Sequence, residues 1–208
     1  MGMLLHESHP VSIHVPLTLL PAAAGVDLVA ALRGDGLLAR AGRSLWISAS
    51  LGALLAGITG MAASQEVETE EKAARDMMFL HGMGNLLLVT AGLGMAGWRL
   101  RHRPTRVSSL LGLLAAATAV YTGYLGGEMV YSHELGVKRS PAVVHSPRLF
   151  SREAPGRLVR DALRGAGWLL GNFTLTLSGR EKLEREAFVG DGSTSRLQRP
   201  SPAPTPST

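Results

Sequence analysis

Four long apolar runs dominate this chain: Val11–Leu32, Ser44–Ser64, Met77–Leu100 and Val107–Tyr131. Each is about 20 residues or more, enough to cross a hydrocarbon core of ~30 Å at ~1.5 Å per residue of helix. Lipid offers the backbone no water to bond, so such runs must close their own hydrogen bonds as helices. The charge sits between them. Arg33, Arg40 and Arg43 flank the first turn, and Arg99, Arg101, Arg103 and Arg106 follow the third run. The loop after the second run is acidic, with Glu66, Glu68, Glu70, Glu71 and Asp76 against Lys72 and Arg75. The positive-inside bias then puts both basic loops in the cytoplasm and both termini outside. The expected fold is all-α: an integral membrane four-helix up-down-up-down bundle formed by residues 1–137.

Residues 138–208 differ in character. Gly136 to Pro155 reads as an extended connection. Residues 156–173 set Leu158, Val159, Leu163, Trp168 and Leu169 against Arg157, Arg160 and Arg164, the pattern of a C-terminal amphipathic helix lying at an interface. Residues 190–208, rich in Ser, Thr, Pro and Gly, form an extended tail with too little apolar surface to fold alone. Met1 to Pro10 lacks the basic start of a cleaved signal peptide.

The chain has no cysteine, which excludes disulfides, thiolate metal sites and iron–sulfur ligation. No basic stripe is interleaved with aromatics, so nucleic acid is not an expected partner. No GxGxxG or Walker pattern follows a strand, and no Ser–His–Asp arrangement is legible. An electron carrier or accessory subunit is therefore favoured over an enzyme.

Counting helices brings four of the seven histidines to one membrane face: His9, His14, His81 and His133. A b-type haem needs two imidazoles from facing helices, apolar walls and small residues for clearance. His14 and His81 are the expected axial pair. The bland alternative is that both are interfacial histidines bonded to neighbours such as Thr18, Asn85 or Glu128. A metal ion held by some of His9, His14, His81, His133 and Glu128 is a third reading. Glu128, Tyr131 and His133 also suggest a proton or quinol site. Asp27 lies inside the first run and must face the bundle, bonding hydroxyls such as Thr59; Asn85 is a second structural polar group.

The segment His9-Pro10-Val11-Ser12-Ile13-His14-Val15-Pro16, the Thr59-Gly60 pair, His81 with Asn85, and Gly126-Gly127-Glu128-Met129-Val130-Tyr131-Ser132-His133-Glu134-Leu135-Gly136-Val137 resemble a bacterial family of four-helix membrane proteins, the domain of unknown function 2231. The resemblance covers residues 9–137. Val15 stands where the family pattern has phenylalanine. Glu134 stands where it has glycine and adds a charge beside His133. The resemblance implies a bacterial inner-membrane location and a redox setting, with subunits of an electron-transfer complex as partners. Two functions follow: a haem b electron carrier, or a non-catalytic accessory subunit of a respiratory or photosynthetic complex.

Overall fold

A computed structural model describes residues 3–67, 69–136 and 146–190. Four helical segments are long and apolar enough to cross a membrane: Leu5–Arg33, Gly36–Ala63, Lys72–Arg99 and Arg106–Tyr131. The first is broken. A short 3-10 turn (Leu5–Glu7) and α1 (Ser8–Ser12) lead into α2 (His14–Arg33). Pro16 has no N–H to give the Ser12 carbonyl, so the helix ladder lapses at Ile13. The other three are α3 (Gly36–Ala63), α4 (Lys72–Arg99) and α5 (Arg106–Tyr131).

The turn between α2 and α3 is two residues long because Gly34 takes the left-handed conformation (φ +68°) and Asp35 caps α3. The Asp35 carboxylate accepts from the N–H groups of Leu37 (2.7 Å) and Leu38 (3.1 Å). Those bonds, helped by Arg33 and Arg40, hold its carboxyl below the usual range. Thr105 caps α5 in the same way.

The helices close a ring in the order α2, α3, α4, α5, with α2 also packed on α5. Neighbours run antiparallel. The first span enters at α1 beside the end of α3, where the His9 ring lies on Gly60, while Asp27 near the end of α2 lies on Gly42 near the start of α3. The core is mostly alanine: Ala23, Ala24, Ala49 and Ala119 surround Leu20, Leu88 and Trp46. Small residues let backbones approach closely where lipid provides no hydrophobic drive. Many leucines instead face outward, among them Leu51, Leu55, Leu87, Leu110 and Leu114.

The extension folds back on the bundle. The expected amphipathic helix is present and longer than its apolar pattern suggested: α6 spans Ala154–Leu177. It packs against α3 and touches α4. Gly165 lies on the Met61 carbonyl, too close for any side chain, and Leu169 rests against Gly82. A last turn, α7 (Glu186–Val189), is held by Tyr121 Oη donating to Phe188 O (3.0 Å) and Tyr124 Oη to Val189 O (2.7 Å). Residues 137–145, which include His145 and nine residues of the expected connection, lie outside the described residues, as does all but the first residue of the 190–208 tail.

Candidate functional site: two buried polar ends

Ionisable side chains buried in the bundle lie toward its two ends, while Ser50, 1% exposed, sits between them at mid-α3. At one end Asp27 and Arg99, both 2% exposed, form an ion pair. Arg99 Nε donates to Asp27 Oδ2 (2.8 Å) and Nη2 to Oδ1 (3.0 Å), a two-pronged contact. Trp46 Nε1 donates to Asp27 Oδ2 at 2.9 Å. The guanidinium also donates to the carbonyls of Ala39 and His102. Gly42 is required here, because a Cβ would overlap the Asp27 carboxylate. The expectation for Asp27 needs correcting: its partners are Arg99 and Trp46, whereas Thr59 sits at the far end, bonded to Ser12 Oγ at 2.9 Å.

At the other end two imidazoles meet. His9 and His81 stand edge to face, with ring centres 6.1 Å apart and planes 88° from parallel. His9 Nδ1 is 3.0 Å from the Ala56 carbonyl of α3, and His81 Nδ1 is 2.8 Å from the Thr122 carbonyl of α5. A carbonyl only accepts, so both Nδ1 atoms carry hydrogen and both lone pairs lie on Nε2. Asn85 Nδ2 donates to His81 Nε2 at 2.9 Å. Glycines clear the rings' flanks. A Cβ at Gly60 would lie 2.8 Å from His9 Cε1, and one at Gly126 3.1 Å from His81 Cε1.

The fold therefore pairs His9, rather than the expected His14, with His81. His14 is exposed, its Nδ1 3.3 Å from the Val11 carbonyl one turn back. The reason is phase. His9 precedes Asp27 by 18 residues, about five turns at ~3.6 residues each, and so shares its inward face. His14 precedes it by 13 and points away. The other sequence candidates are dispersed. His133 Nδ1 lies 2.9 Å from Glu71 Oε2. Glu128 Oε1 accepts from Ser132 Oγ at 2.6 Å, and Tyr131 is exposed. Among the described residues no three His, Asp or Glu side chains gather as a metal cluster, so the five-residue set is not assembled as such.

A further buried couple escaped the sequence reading. His6 Nδ1 and Glu66 Oε2 are 3.8 Å apart, and both side chains are almost fully enclosed. Burial pushes the Glu66 carboxyl up; Ser146, His6 and Arg157 pull the other way and Asp161 adds to the rise.

An alanine-rich ring of four apolar helices, with its buried ionisable side chains toward its two ends, defines a polytopic helical membrane protein. The chain belongs to the predicted membrane protein family DUF2231, whose profile matches residues 5–139. No curated protein and no solved structure matches it.

Proposed function

We propose that the protein is a membrane electron carrier in which His9 and His81 would together hold a b-type haem. The imidazole pair carries this reading. The two rings come from the first and third spans and lie 6.1 Å apart centre to centre, close enough for one group to be held by both. The donor chemistry also fits. Ligating histidines almost always give their second N–H to a carbonyl or carboxylate, which fixes the tautomer and makes the ligating nitrogen more basic. The carbonyls of Ala56 and Thr122 do this for His9 and His81. One group must move: the Asn85 amide has to turn away from His81 Nε2. When bound, haem supplies one-electron chemistry at its iron. The chain's own part is to orient the two rings and keep water out with apolar helices.

In this reading the histidine end faces the periplasm of a bacterial inner membrane, and the electron partners are other membrane subunits. An accessory role in such a complex is the second reading. It is favoured by the stripe Val159, Leu163, Leu170 and Leu177, which is exposed along α6. A reduced-minus-oxidised spectrum of the purified full chain tests the first reading. Sharp α and Soret bands are expected, lost in His9→Ala and in His81→Ala and kept in His14→Ala. A colourless protein from haem-supplemented cells, or bands that survive both His9→Ala and His81→Ala, rejects the haem; a colourless protein that purifies only with neighbouring subunits supports the accessory role.

A further inference from the structure

The end that holds Asp27 and Arg99 opens into a cavity of about 180 Å³, lined by the start of α3, the end of α4 and the loop after it. That is several times the ~30 Å³ one water occupies in the liquid. Five arginines line it: Arg40, Arg43, Arg99, Arg101 and Arg103. Only Arg99 is neutralised, by Asp27. Among the described residues Arg40, Arg43, Arg101 and Arg103 have no carboxylate within ion-pair distance. The nearby acid, Asp35, is committed to the N-terminus of α3. Arg40 is partly offset by the Asp35 charge, and an anion seated among the guanidinium groups of this one concavity would relieve the repulsion between them. Guanidinium matches phosphate oxygens in a planar two-pronged fashion.

We infer that this cavity binds the phosphate of an anionic phospholipid. Its position selects lipid over a soluble anion. Arg99 and Gly36 are the ends of membrane-length helices, so the cavity opens at headgroup depth. Leu100 lines it and is exposed, as is Leu37 beside it, giving an acyl chain an aliphatic surface next to the charged pocket. Arginine clusters that only bias topology need no concavity and no aliphatic rim. Here the first turn of α3 and the loop after α4 build both. Arg103 reaches over Gly36, where a Cβ would lie 3.8 Å from its Nη2.

The test uses the full chain, delipidated in neutral detergent, with lipid binding counted by native mass spectrometry and confirmed by thermal shift. The probes are phosphatidylglycerol, phosphatidylcholine and inorganic phosphate. One phosphatidylglycerol should bind in preference to phosphatidylcholine, and inorganic phosphate should be far weaker. Each arginine near an anionic surface contributes about 1 kcal/mol, or about five-fold in affinity. Arg43→Gln with Arg103→Gln should then weaken binding about 25-fold, and the Arg43→Lys with Arg103→Lys pair should retain most of it. Arg33→Gln with Arg106→Gln, at the same end but outside the cavity, should change it less than two-fold. Equal retention of both lipids overturns the inference. So does an equal loss in the Arg33 and Arg106 control, which would mean a diffuse surface field. Phosphate binding as tightly as phosphatidylglycerol overturns the lipid assignment.

Discussion

Asp27→Ala tests how the arginine end is held. The substitution strands the Arg99 guanidinium at 2% exposure, with the carbonyls of Ala39 and His102 but no counter-charge. Removing one partner of a buried pair costs about 3–5 kcal/mol. Trp46 Nε1 also loses its acceptor, and a buried donor left unmade costs about 1–3 kcal/mol. The same carboxylate serves both, so the terms overlap, and about 4 kcal/mol is the working loss. For a chain of this size 1 kcal/mol moves Tm by about 2–4 °C. The melt should therefore fall by roughly 8–16 °C. Arg99→Met should do comparable damage by stranding the carboxylate. The double variant removes both charges and should recover about half of either loss, since an apolar pair in place of a buried ion pair is often near neutral. Tryptophan fluorescence in detergent is the assay, with Trp46 as the local reporter. Single variants that melt within about 2 °C of wild type, or a double variant whose loss equals the sum of the singles, would refute the reasoning.

Three further outcomes are expected. Glu66 has its carboxyl raised in the folded chain by burial, so its contribution is full below the ordinary carboxylate range and is lost as pH rises through the elevated value. Hydrogen exchange at Leu5–Glu7, corrected for intrinsic rate, should therefore quicken with rising pH in wild type and stay flat in Glu66→Gln. Gly165→Leu cannot sit on the Met61 carbonyl; α6 should undock, and trypsin should cut at Arg157, Arg160 and Arg164 at least ten-fold faster while the four spans stay protected. Tyr124→Phe deletes the bond to Val189 O, worth about 0.5–1.5 kcal/mol, and should raise exchange around α7 without moving the global melt.

The bundle was legible because lipid leaves so few options. Run length gave the spans, and the alternation of basic and acidic loops gave the antiparallel order. The closing partner of Asp27 was legible in principle. A carboxylate in the first span needs a cation at the same end of the bundle, and Arg99, at the edge of the third run, is the first one available. Its closeness to Arg101 and Arg103 gives it the look of one more loop arginine. Depth alone favours His14; helical phase, counted from Asp27, selects His9. The His6–Glu66 couple depends on where the N-terminal turn lands against the α3–α4 loop. Nothing in local periodicity encodes that placement. The apolar pattern of α6 stops at Phe173, yet the helix continues through Thr174 and Thr176. They are exposed or half-buried positions on a helix docked by its other face.

His9 and Asp27 lie 18 residues apart on the first span, and His81 and Arg99 lie 18 apart on the third. The two spans are thus rails with matched rungs, imidazole on imidazole at one level and charge on charge about 27 Å away. The match sets the register of helices that stand diagonally across the ring and share few other contacts. One residue added to either rail between the rungs would swing an end by about 100° and lift it by about 1.5 Å, so only one rung could close at a time. A change in the spacing of the imidazoles can be taken up at the lapse in the ladder at Ile13 or as a tilt about the ion pair, and the charged end, below that lapse, is the firmer datum from which the histidine end is measured.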